Sequence, residues 1–231
     1  MWVDDFDGPE GAPPSPECWT FEVGGGGWGD EQLQTYTREN ATLDGNGCLA
    51  IVARPDLTSA RLTTKGRVTA GHGRVEARIK VPAGSGLWPA FWMLGADIDE
   101  VAWPACGEID VMEVVGSEPR TVHATVHLPG HAGVGQGIGA TRTIDEDLAG
   151  DFHVYGVDWT PDRITWRLDD VAFHTLARFP GWVFDRDFYL LLNLAVGGSW
   201  PGNDVDSRSL PATMLIDWVR ATVRRWPTTR R

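Results

Sequence analysis

Gly107-Glu108-Ile109-Asp110-Val111-Met112-Glu113-Val114-Val115-Gly116 is the stretch from which the rest of the chain can be read. Apart from its acids the run is β-branched or apolar, and a glycine closes each end, which is the pattern of a strand. Side chains alternate faces along a strand, so Glu108 and Asp110 share one. Glu113 lies three residues past Asp110, and a regular strand would turn it to the opposite side. One extra residue, most simply Met112 in a β-bulge, restores the phase and brings all three carboxyls to one face. A solvated edge strand or a calcium-binding patch would be the bland explanation. Against it, Ile109, Val111, Met112, Val114 and Val115 imply burial, where unpaired acids are costly.

Three carboxyls on one face repel each other, so one pKa should be pushed up and another held down. That division suits glycoside hydrolysis with retention, in which a carboxylate attacks the sugar and a carboxylic acid protonates the leaving oxygen. Glu108 is assigned as nucleophile and Glu113 as general acid/base. Asp110 stands between them, hydrogen-bonded to Glu108.

Glu-Ile-Asp-Val-Met-Glu resembles the signature of family 16 glycoside hydrolases, in the bulged form typical of endo-β-1,3-glucanases (laminarinases). Three further segments join it in order: Gly86-Leu-Trp-Pro-Ala-Phe-Trp-Met-Leu94, Phe188-Tyr-Leu-Leu-Leu-Asn-Leu-Ala-Val-Gly-Gly-Ser-Trp-Pro-Gly202 and Ile216-Asp-Trp-Val-Arg220. The resemblance covers essentially the whole chain. It implies an all-β fold, a β-jelly-roll sandwich of two antiparallel sheets whose concave face forms an open cleft, and so attack within a chain. It also implies sugar contacts from Glu76 and Arg78, and a cleft-bordering loop, Gly24–Gly29, that carries Trp28. A structural calcium ion would bridge Asp5, Gly47 and Asp217; no cofactor is required for catalysis. Two positions depart from the family pattern, Asp30 and Ser199, where Asn is expected.

The chain supports the same reading by composition. Its 231 residues suit one catalytic domain, 1–231, and 42% hydrophobic content supports a full core. Twelve tryptophans exceed what such a core needs. About half should be core, the rest offering flat π surfaces to pyranose C–H faces. A net charge of −12 argues against nucleic acid or an anionic membrane as partner and fits a neutral polysaccharide, a β-glucan, bound by a monomer. Cys18, Cys48 and Cys106 allow at most one internal pair. No signal peptide precedes Trp2, yet an insoluble glucan is met outside the cell, so a secreted protein with its leader removed is expected.

Elsewhere short strands alternate with Asp-Gly and Asn-Gly turns, the pattern of two packed antiparallel sheets. Trp88, Ala90, Trp92 and Leu94 share one strand face, with Trp92 and Trp103 as the preferred sugar-stacking rings and Trp88 as a further candidate. In Thr121–His127, His123 and His127 share a face opposite the acids and could tune them or hold a hydroxyl. Asn193 interrupts an apolar strand and needs a partner, for which a sugar hydroxyl is suitable; Trp200 follows at the cleft mouth. Glu76 and Arg78 also fit an ordinary surface ladder of opposite charges. The glycine-rich stretch 130–139 reads as a mobile loop carrying His131. Val154, Trp159, Ile164, Trp166 and Leu168 are core candidates. The rival functions are a mixed-linkage β-1,3-1,4-glucanase and a β-glucan-binding module that does not cut; against the latter stands the complete acid set.

Overall fold

The computed structural model describes residues 1–225. Its strands are β1 (Trp2–Asp4), β2 (Thr20–Phe21), β3 (Thr35–Tyr36), β4 (Ala41–Leu43), β5 (Leu49–Ala53), β6 (Thr58–Ser59), β7 (Arg61–Thr63), β8 (Thr69–Lys80) and β9 (Leu87–Gly95). They continue with β10 (Glu108–Glu113), β11 (Thr121–Pro129), β12 (Gly135–Thr143), β13 (His153–Thr160), β14 (Arg163–Leu168), β15 (Val171–Ala177), β16 (Phe188–Val196) and β17 (Ala212–Arg225). Two four-residue helical segments, α1 (Trp28–Glu31) and α2 (Ile98–Val101), lie in loops.

Fifteen of these strands form an antiparallel sandwich, and β3 and β6 pair in parallel as a separate two-stranded sheet. One layer runs β12-β11-β10-β9-β16-β7-β2 and the other β15-β14-β13-β8-β17-β5-β4, with β1 on β17. The layers meet along one edge, where Phe188 of β16 pairs with Ala70 of β8. Period-two alternation sends Phe91, Met93, Ile109 and Val126 of the first layer inward against Val75, Ile79, Val157 and Ile216 of the second, in one core cluster. Each such side chain, fully buried, contributes about 1.5–3 kcal/mol.

β10 departs from this alternation at one place. Against β9, Asp110 faces Trp92 while Met112 faces Phe91, so Val111 has no opposite. Against β11, Asp110 faces Thr125 and Glu113 faces His123, so Val111 and Met112 together span Ala124. The bulge is therefore where it was expected, but its unmatched residue on the β9 side is Val111 rather than Met112. Both side chains enter the core. Two consecutive inward residues leave Asp110 and Glu113 on the same outward face.

Two expectations are corrected. The stretch 130–139 is not a loop throughout: from Gly135 it enters β12, which pairs with β11 from Thr121↔Thr143 to Pro129↔Gly135 as an edge strand. Glycine lacks strand propensity, so the pairing comes from tertiary context. On β13 the buried phase is Tyr155, Val157 and Trp159, and Val154 is half-buried.

Candidate active site

The outward face of β10 opens into a cleft of about 910 Å³. Glu108 and Glu113 line it together with Trp28, Trp88, Trp92, Trp103 and Trp200. Four other tryptophans, Trp2, Trp19, Trp159 and Trp166, are buried. Each of the two glutamates has an indole donor of its own. Trp103 Nε1 donates to Glu108 Oε2 at 2.8 Å, and Trp88 Nε1 donates to Glu113 Oε1 at 3.0 Å. Asp110 sits beneath, 2% exposed, with His127 Nε2 3.3 Å from its Oδ2.

The electrostatics separate the two glutamates. Burial pushes both carboxyls upward. The Asp110 charge adds to the rise at both. At Glu108 the His127 charge and the Trp103 N–H oppose it; at Glu113 only the Trp88 N–H does. The first proton lost by the coupled pair is therefore assigned to Glu108. Burial also works against the His127 imidazolium, but the Asp110 contact and the charges of Asp110 and Glu108 outweigh it and raise its pKa. Burial lowers that of His123.

The walls are braced from below and from the side. Trp92 Nε1 donates to Asn193 Oδ1 at 2.7 Å, and Asn193 Nδ2 donates to the Tyr36 hydroxyl at 3.2 Å. Arg61 lies 4.7 Å from the Trp92 ring centroid and pairs with Glu22 at 2.5 Å. The glycine-rich segment borders the cleft, where Gly29 and Asp30 join Trp28 in the lining. Asp30 holds the opposite loop: its Oδ2 accepts from the Trp200 amide at 2.8 Å and its carbonyl from the Ser199 amide at 3.0 Å.

Several expected site residues lie elsewhere. Glu76 and Arg78 are on the outer face of the second layer, away from the cleft. Glu76 accepts from Arg74 Nε, and Arg78 Nη1 donates to Asp217 Oδ2 at 2.6 Å while lying 4.5 Å from the Phe152 ring. They form the ordinary charge ladder. Asn193, by contrast, lies on the floor of the cleft beside Glu108, Asp110 and Glu113; its bonds to Trp92 and Tyr36 use one N–H and the amide oxygen and leave its second N–H for a hydroxyl. His123 meets the Trp200 ring edge-on at 4.8 Å, under the wall rather than on it.

The calcium expectation meets the same outer face. Asp217 Oδ2 is taken by Arg78, Asp5 is exposed, and a Cβ on Gly47 would have Asp7 Oδ1 as its neighbour at 3.8 Å. Among the described residues the one converging set of three side-chain ligands is Glu108, Asp110 and His127, inside the cleft. An ion held by the Gly47 carbonyl with Asp5 and Asp217 would occupy a separate site on the outer face, and no step below involves one. All three cysteines are free.

Arg61, Asp30 and Tyr36 were not identified as site residues from the sequence. Arg61 was visible as the one charge inside Ser59-Ala-Arg-Leu-Thr-Thr64, a signal of the kind that marked Asn193. Asp30 stood out only as a departure from the family pattern, and Tyr36 carries no comparable signal; their partners come from the loop after β16 and from β16 itself.

A family model described as glycosyl hydrolases family 16 matches residues 29–220. The endo-β-1,3-glucanase of Pyrococcus furiosus superposes with a TM-score of 0.89 at 47% identity, covering 95% of this chain and 92% of that one. The laminarinase catalytic domain of Thermotoga maritima MSB8 superposes with a TM-score of 0.89 at 41% identity over 96% of both chains. A β-glucanase of Rhodothermus marinus is 42% identical over 98% of this chain and 85% of its own length.

Proposed function

The chain belongs to glycosyl hydrolase family 16, and from that premise we propose that it cleaves internal β-1,3-glucosidic bonds of laminarin-type β-glucans, with Glu108 as nucleophile and Glu113 as acid/base. The observation that carries the assignment of roles is the Val111–Met112 bulge. It sets two carboxyls on one cleft wall, each with its own indole donor and with unequal electrostatic surroundings.

The steps follow from the geometry. Glu108, ionised, attacks the anomeric carbon while the glycosidic oxygen departs with the proton of Glu113. Glu113, now a carboxylate, takes a proton from water as that water attacks the same carbon and releases Glu108. Two displacements at one centre restore the β configuration. Asp110 bears on both glutamates, and His127 balances its charge. The five cleft tryptophans supply faces for successive sugar rings. An open cleft admits a polymer in mid-chain, which makes the action endo. A cleft lined from within one chain supports action as a monomer, and a polymeric substrate supports secretion.

Azide tests the roles. With Glu108→Ala and an activated aryl β-glucoside, azide replaces the carboxylate in a single displacement and gives an α-glucosyl azide. With Glu113→Ala it intercepts the glycosyl-enzyme and gives the β product. Identical anomers from the two variants would overturn the assignment. Product analysis on laminarin and barley glucan reads the linkage: release of oligosaccharides from laminarin is expected, and cleavage of barley glucan alone would favour the mixed-linkage reading.

A further inference from the structure

β12 is built of glycine where it faces the cleft, and its backbone does not require it. Gly135 and Gly137 line the cleft, and neither has φ in the left-handed region, so L side chains are admissible there on backbone grounds. What excludes them stands above. A Cβ on Gly135 would come within 2.4 Å of Trp103 Cη2 and 3.1 Å of Cζ2, and one on Gly137 within 3.3 Å of His127 Cε1. The Trp103 ring thus lies directly on the bare backbone of β12. It is half exposed, and its Nε1 is the indole donor to Glu108.

We infer that Gly135 is a positioning residue for the reaction: by carrying no side chain it lets the Trp103 ring lie where its N–H reaches the Glu108 carboxylate. The role rests on the reading of Glu108 as nucleophile. Trp103 comes from the loop after α2 and has to cross to β12, so its depth above that strand sets the direction of its N–H. A methyl group at Gly135 lifts the ring and opens the 2.8 Å contact. The N–H stabilises the ionised form of Glu108, the form that attacks, so losing it delays ionisation and moves the acid limb of activity to higher pH. The other charged or titratable groups around Glu108 are Asp110 and Glu113 on β10, His127 on β11, Cys106 in the preceding loop and Arg61 on the cleft wall. β9 places Leu94 opposite it. None of these changes with residue 135.

The test is the pH dependence of kcat/KM on laminarin for Gly135→Ala, Trp103→Phe and the double variant, with melting temperatures for each. Gly135→Ala should lower kcat/KM roughly ten-fold below the optimum and raise the acid limb by about one pH unit, the size of one lost charge-assisted hydrogen bond. Trp103→Phe should raise the acid limb by the same amount. The double variant should move it no further, because both changes remove one contact. An unmoved acid limb in a folded Gly135→Ala, or additive shifts in the double variant, would overturn the role. Should Gly135→Ala fail to fold, an unmoved acid limb in Trp103→Phe overturns it as well. The azide products of Glu108→Ala report on the nucleophile separately, so a failure here is distinguishable from a failure there.

Discussion

The indole nitrogen of Trp166, on β14, lies 2.8 Å from the backbone carbonyl oxygen of Asp110, on β10. The bond crosses the sandwich from the second layer to the first. It reaches the strand at the residue just before the bulge, where the ladder to β9 slips by one. A bulge leaves backbone groups without ladder partners, and a buried carbonyl without one costs about 1–3 kcal/mol. Trp166 is fully buried and makes this bond from within the core. Replacing it with Phe should therefore destabilise the fold by about 2–4 kcal/mol, cavity included. It should also lower kcat more than it raises KM, because the bulge sets the direction of Glu113. Denaturant unfolding and steady-state kinetics on laminarin check both; a loss of stability with kinetics unchanged would separate the bulge from the bond.

Burial of Glu113 makes a stability prediction of definite sign. Its folded pKa is raised above the unfolded value, so the folded state holds the proton more tightly. Its contribution to stability is intact below the unfolded pKa of about 4.3 and is lost as pH rises through the folded value. Glu113→Gln, which never ionises, should match the wild type in melting temperature near pH 4 and exceed it increasingly towards pH 8. Each kcal/mol recovered corresponds to roughly 2–4 °C in a chain of this size. A melting-temperature difference that is constant across pH would contradict the buried-acid account.

The acid strand was legible because everything it needs is local: a three-residue gap between Asp110 and Glu113, apolar neighbours on both sides, and a period that one bulge repairs. The aromatic face of β9 was legible for the same reason. The side of the sandwich was not. Alternation puts Glu76 and Arg78 on one polar face of β8, but a sandwich has an outer polar surface and a cleft, and the same pattern serves either. Asn193 announced its need for a partner without naming it, since Trp92 and Tyr36 come from 101 and 157 residues away. β12 was lost altogether because its cleft-facing positions are glycine to make room for Trp103 and His127, which erases the strand signal there.

The outer-face position of Arg78 gives a clean contrast with the cleft. Its ion pair with Asp217 joins two side chains that are each about one-third exposed (37% and 33%), a setting in which such pairs contribute only about 0.2–1 kcal/mol. Arg78→Ala should accordingly leave kcat/KM on laminarin within about two-fold of wild type and lower stability by about 1 kcal/mol, lost packing on Phe152 included. Parallel assays of activity and urea midpoint decide it. A ten-fold fall in kcat/KM with the fold intact would return Arg78 to the substrate.

Asn193 makes the opposite case. It is 5% exposed, and its amide connects the Trp92 indole to the Tyr36 hydroxyl. Leucine has the same branched heavy-atom skeleton but can neither accept from Trp92 nor donate to Tyr36, so Asn193→Leu strands two polar groups in a place water reaches poorly. Trp92 also lies against Arg61, which keeps the ring near the cleft but does not fix its tilt. The expected result is a KM on laminarin higher by about ten-fold, the equivalent of one lost hydrogen bond in orientation, with kcat changed by less than three-fold. The split matters more than the size. Trp92 offers a face to sugar in the ground state and the transition state alike, whereas a fall in kcat at constant KM would mean that the Asn193 link acts on Glu108 or Glu113 and not on a binding wall.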